Sequence, residues 1–105
     1  MLLPVCLVSY NPGMEYEWDT VKAATNLKKH CVSFEEVETV FNNPLALIFA
    51  DTAHSAEERR EIIIGHSQQN RLLLVSFTER PNAIRIISAR VATRRESEEY
   101  ENNAF

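Results

Sequence analysis

The chain has 105 residues, of which 45% are hydrophobic and 25% charged, and a formal net charge of −4. That length supports one domain with its own core and needs no disulfide or metal staple. No apolar run approaches the roughly 20 residues of a membrane-spanning helix. The charge is unevenly placed: between Arg59 and Arg95 eight Arg face only Glu61 and Glu79, a local +6, while the remainder sets three Lys against thirteen Asp and Glu, −10. Such asymmetry points to a local basic site for a polyanion and argues against indiscriminate coating of nucleic acid.

Met1 to Tyr10 has a faint signal-peptide look, but it lacks a basic start and a small-residue cleavage site, and Pro4 comes early. Asn11-Pro12-Gly13 reads as a turn. Residues 1–13 are therefore expected to be an extension or an added strand, ahead of one domain over 14–105. Cys6 and Cys31 form no CxxC or Cys/His pattern, so no metal site is expected and a reduced cytosolic pair is favoured.

Glu15 to Trp18 alternates like a short strand. Asp19 is a good N-cap for a helix over about 20–29. Ser33 followed by Glu36 reads as a capping box. The helix it starts carries Phe34, Val37, Val40 and Phe41 as an apolar stripe and ends at Asn42-Asn43-Pro44. The period then changes. Leu45 to Phe49, Glu61 to Ile64, Leu72 to Phe77 and Ile84 to Ala89 read as strands, with turns at Gly65 to Asn70 and Pro81-Asn82. Thr93 to Asn102 reads as a polar terminal helix. Short connections favour antiparallel neighbours, which gives an α+β domain: N-terminal helices, an antiparallel sheet of about four strands, then a C-terminal helix.

Two constellations carry possible chemistry. Asp19, Lys22, Asn26 and Lys29 share one face of the first helix, with His30 at its end. Spacing alone favours a solvated face there. Arg80, Arg85 and Arg90 bracket the last hairpin, where guanidinium groups can grip a phosphodiester. Arg85 and Arg90 are an odd number of residues apart, so a regular strand points them to opposite faces. Both line one site only if Arg90 lies past the strand end. Trp18 reads either as core or as a base-stacking ring. No Ser-His-Asp spacing and no phosphate-binding glycine loop is present, since Gly13 and Gly65 are the two glycines.

Glu17-Trp18-Asp19, Lys22, Asn26, Lys29-His30 and Val32-Ser33-Phe34-Glu35-Glu36 together resemble the opening of the BrnT toxin family. Val40-Phe41, Asn43-Pro44, Glu58-Arg59 and Ile64-Gly65 continue the likeness. The closing stretch is similar as well: Thr78-Glu79-Arg80, Arg85-Ile86-Ile87-Ser88-Ala89-Arg90, Ala92-Thr93-Arg94-Arg95-Glu96 and Tyr100. The resemblance spans about residues 15–101. It implies a RelE-like ribonuclease toxin of a bacterial type II toxin–antitoxin pair, cytoplasmic, inhibiting translation or growth, and working without metal or cofactor. It also implies a BrnA-like antitoxin, in a heterotetramer of two toxins and two antitoxins, through which alone operator DNA is reached.

In such an enzyme the RNA 2′-hydroxyl attacks the adjacent phosphate, and the protein supplies a base, an acid and cations. On the resemblance, Lys22, His30, Glu79, Arg80 and Arg90 are candidates for catalysis. Lys29, Arg85, Arg94, Arg95 and Trp18 are candidates for RNA binding. The alternative is a degenerate toxin that acts only as a corepressor with its DNA-binding antitoxin. One departure stands out: the family usually places Gly after the Lys-His pair, where this chain has Cys31. A residue with a Cβ pays about 1 kcal/mol in the left-handed conformation that such a Gly serves. The turn after His30, and with it the placement of His30, is therefore expected to differ from the family's.

Overall fold

The computed structural model describes residues 14–52 and 59–102. The readings of residues 1–13 and of Glu58 lie outside this range. The elements are β1 Glu15–Glu17, α1 Thr20–His30, α2 Phe34–Val40, β2 Leu47–Ala50, β3 Glu61–His66, β4 Leu72–Arg80, β5 Ala83–Val91 and α3 Arg94–Glu101. The sheet order is β1-β5-β4-β3-β2. The four expected strands pair antiparallel, and β1 adds a fifth that runs parallel to β5. A three-residue strand is too short for its partner to be legible in sequence, and the whole domain lies between β1 and β5.

One face of the sheet is covered by helices. Phe34, Val37 and Val40 of α2, with Val32 and Phe41, pack on Ile48, Ile63, Leu73, Val75, Phe77, Ile84, Ile86 and Ala89. Phe41 bridges the layers, its ring 5.4 Å from Tyr16 and 5.1 Å from Phe77. Gly65 lets this happen, because a Cβ there would sit 2.7 Å from that of Ala46. Gly65 and His66 belong to β3 rather than to the following turn. That turn is Ser67 to Arg71, with Asn70 in the left-handed region that asparagine tolerates.

The N-caps Asp19, Ser33 and Thr93 all accept from the first turn of their helices. Only Thr93 completes a capping box, with Glu96. At Ser33 the expected box is half made, because the buried Glu36 carboxylate turns elsewhere. It accepts from both Nε and Nη2 of Arg71 and from the Ser67 hydroxyl at 2.7 Å. Arg71 Nη2 also donates to the Cys31 carbonyl at 2.9 Å. Arg71 and Ser67 hold the Glu36 carboxyl below the usual range despite its burial. Cys31 keeps the turn that glycine would make, at φ 59° and ψ 32°. A side chain from the β3–β4 connection pins its carbonyl.

Candidate nucleic-acid interface

The expected solvated face of α1 is interrupted by Asn26, which is only 5% exposed. Its amide donates to the carbonyls of Val32 at 3.0 Å and Ala89 at 2.9 Å, and its oxygen accepts from Ala89 N–H at 3.1 Å. β1 leaves β5 at Glu17, and beyond that point Asn26 occupies the edge as a strand neighbour would. This fixes the rotation of α1. Ala23, on one side of Asn26, packs on the core. Lys22 and Lys29, about 40–60° round the other side at roughly 100° per residue, are exposed. His30 is half-buried at the helix end.

The open face gains its arginines through an irregularity. Ser76 lies opposite Ser88, but Phe77 lies opposite Ile86, so Ile87 is an extra residue in β5. A bulge of this kind resets the alternation. Ile84, Ile86 and Ala89 face the core, and Arg85, Ser88 and Arg90 all face away from it. The expectation that Arg85 and Arg90 must part within a strand is thus corrected: Arg90 lies inside β5, and the bulge brings both to one face.

Arg80 joins them from β4, where it shares a face with Ser76 and Thr78. It does not lie close to Arg90. Arg80 sits opposite Ala83 at the hairpin turn, and Arg90 sits opposite Leu74 at the far end, about 20 Å away at roughly 3.4 Å per residue. The two arginines therefore cannot hold one phosphate together in this arrangement. Arg80 and Arg85 do come together. Glu17 Oε2 lies 3.8 Å from Arg80 Nε and 3.1 Å from Arg85 Nη1. Arg90 is held separately by both oxygens of Glu96, at 2.8 and 2.9 Å. That contact takes the Glu96 carboxyl down to about 2. All three guanidinium side chains stay partly open, at 41%, 35% and 39% exposure.

The remaining candidates lie around this face. Arg94 and Arg95, at the start of α3, are exposed and sit 3.5 and 3.8 Å from Glu98 and Glu99. α3 crosses the Arg90 end of the sheet, where Tyr100 donates to the Leu45 carbonyl at 2.7 Å and its ring meets His66. Trp18 packs against the core with its ring edge-on to Phe34 at 5.8 Å. Glu79 follows Phe77 by two residues and so points to the side opposite Arg80. Glu61, opposite Phe77, lies on the same side, and the two line a cleft with Arg59 and Thr78. Burial, and then the hydrogen-bonded Glu79, raise the Glu61 carboxyl. Asp19 is held low chiefly by the backbone N–H of Lys22, with smaller help from the Lys22 and Arg85 charges. Among the described residues no group of three or more His, Cys, Asp or Glu is placed to hold a metal ion, and no described helix is long and apolar enough to cross a membrane.

Sequence reasoning missed Glu17 and Glu96 as partners of the arginines, and Ser76 and Ser88 as the polar pair between them. The spacing from Thr93 to Glu96 signals a helix start, but nothing in it signals Arg90.

Comparison with known proteins agrees with this picture. The family model described as the ribonuclease toxin BrnT of a type II toxin–antitoxin system matches residues 18–96. No curated protein matches significantly. Among solved structures, the Brucella abortus ribonuclease toxin BrnT superposes with a TM-score of 0.62 at 27% identity, covering 77% of this chain and 99% of that one.

Proposed function

Because the chain belongs to the BrnT family of ribonuclease toxins of type II toxin–antitoxin systems, we propose that it cleaves RNA on the open face of its sheet, without a metal ion. The observation that carries this reading is the gathering of Arg80, Arg85 and Arg90 on one face, with the exposed Lys22 and Lys29 on α1. In the proposed reaction the 2′-hydroxyl loses a proton and its oxygen bonds to the adjacent phosphorus. The bond to the 5′-oxygen then breaks, and that oxygen takes a proton. A 2′,3′-cyclic phosphate and a 5′-hydroxyl remain.

Arg85 is assigned to the reacting phosphate, where a fixed cation stabilises the added negative charge, and Arg80, gathered beside it by Glu17, to the adjoining one. Arg90 takes a phosphate further along the strand. Protons are handled by Lys22, Lys29 or His30. Glu79 is left out of the assignment because it faces the Glu61 cleft. Trp18 supports the start of α1 from the core, and Arg94 and Arg95 extend the basic field. The partner is a BrnA-like antitoxin, two copies with two toxins, and operator DNA is reached through it. The site of action is the cytoplasm.

Induced expression tests the reading. Growth arrest with loss of total RNA, relieved by the neighbouring antitoxin frame, is the expected result. A second reading, a non-catalytic corepressor, draws on the ion pairs that each hairpin arginine already makes with a Glu of its own chain. Normal growth and intact RNA from well-expressed, folded protein would favour that reading.

A further inference from the structure

The hairpin β4–β5 presents its open-face groups as regular rungs. Arg90 is level with Leu74, Ser88 with Ser76, Arg85 with Thr78, and Arg80 with Ala83. Alternate residues of β4 stand roughly 7 Å apart, so the rungs form a row about 20 Å long that follows the twist of the hairpin. Three rungs carry an arginine, and the one between Arg85 and Arg90 carries two hydroxyls. Taking up Ile87 as a bulge creates this order. Were the same residues paired as a regular strand, Arg85 and Arg90 would show opposite faces.

We propose that this row takes an extended single strand of RNA along the hairpin, one phosphate per rung, with Ser76 and Ser88 as the positioning hydroxyls of its uncharged rung. The proposal rests on the RNA reading above and adds its substrate form and two residues to it. Successive phosphates of an extended strand recur at about the rung spacing, and a flexible single strand can follow the twist of the hairpin, which a stiff duplex cannot. Ser88 is exposed and Ser76 half-buried, and each hydroxyl can donate to a phosphate oxygen without adding charge. On the β3 side, Ile62 lies beside Ser76. The half-buried Ile62 therefore offers the bases one apolar side chain inside the row, and the exposed Lys22 and Lys29 lie on α1.

The test is binding of labelled single-stranded oligonucleotides with 2′-deoxy sugars, which cannot supply the attacking hydroxyl, carrying two to six phosphates. RNA cleavage by the same preparations is followed in parallel. Affinity should rise with each phosphate up to four and then level off, and it should exceed that for a duplex of equal length. The slope of log K against log salt should be about −2 for three arginines at roughly 0.7 each. Ser88→Ala should weaken binding by roughly three- to tenfold with the slope unchanged, and Ser76→Ala together with Ser88→Ala should weaken it further. Arg85→Ala should reduce the slope by about 0.7. Thermal melts verify that each variant is folded. If the protein cleaves RNA but its affinity ignores length beyond two phosphates, prefers duplex, or is untouched by loss of both hydroxyls, the row is overturned and the ribonuclease reading stands. If it neither cleaves nor binds RNA, both fall.

Discussion

Arginine meets glutamate in two quite different settings here. Arg71 and Glu36 join behind the sheet, where Glu36 is 5% exposed and its oxygens are shared with Ser67. Arg80, Arg85 and Arg90 meet Glu17 and Glu96 on the open face, where every guanidinium remains partly exposed. The first set is fully engaged with its own chain: Arg71 ties α2, the β3–β4 turn and the carbonyl of Cys31 into one unit. The second set can exchange one anion for another, since a phosphate oxygen can replace an exposed carboxylate at little cost. What separates the two is burial of the carboxylate: Arg71 is 35% exposed, like Arg85, but Glu36 is 5% exposed against 44% for Glu17 and 22% for Glu96.

Breaking the buried set should have the largest effect on stability. Arg71→Ala leaves the Glu36 carboxylate buried without its cation and should cost about 2–3 kcal/mol after discounting for the partly exposed Arg71, read as a lower urea midpoint. Glu36 is held low, so its contribution is present above the usual carboxylate range and is lost as pH falls below it.

Asn26→Leu comes next. It leaves Ala89 N–H and two carbonyls without their partner and should cost about 2 kcal/mol, with early hydrogen exchange at Ala89.

Glu96→Gln should cost about 1–2 kcal/mol after discounting for solvent at the partly exposed Arg90. The sign follows from the carboxyl being lowered from 4.5 to about 2. The difference from the parent chain is complete above about pH 5 and disappears as pH falls towards 2. Unfolding curves across that range check it.

Arg85→Ala sharpens the contrast most. Its exposed pair with Glu17 should change stability by less than about 0.5 kcal/mol, while RNA cleavage falls by roughly 100-fold.

The division between the two settings was only partly legible in the sequence. The apolar stripe from Phe34 to Phe41, the β3 to β5 runs and the three N-caps are local patterns, and local patterns are carried by spacing. The α+β class followed from them, and the family likeness from motifs such as Glu17-Trp18-Asp19 and Arg85-Ile86-Ile87-Ser88-Ala89-Arg90. Which way Arg85 and Arg90 point was not legible, because it depends on the pairing of Ser76 with Ser88 and on the extra Ile87 that this leaves. Nor was the fate of Asn26, which read as one polar residue in a solvated face until β5 offered it an unpaired edge. Glu36 has the spacing of a capping box, and the competing Arg71 lies 35 residues away. Cys31 was rightly marked as carrying a backbone cost, yet its turn survives because Arg71 holds it.

The most direct test of the open face as the working face is cleavage of an end-labelled single-stranded RNA by the purified chain and by Arg85→Ala, with both proteins matched in thermal melting. Cleavage by the parent and its near-complete loss in a variant of unchanged stability is the predicted result. Equal cleavage by the two would show that the chemistry lies elsewhere on the molecule.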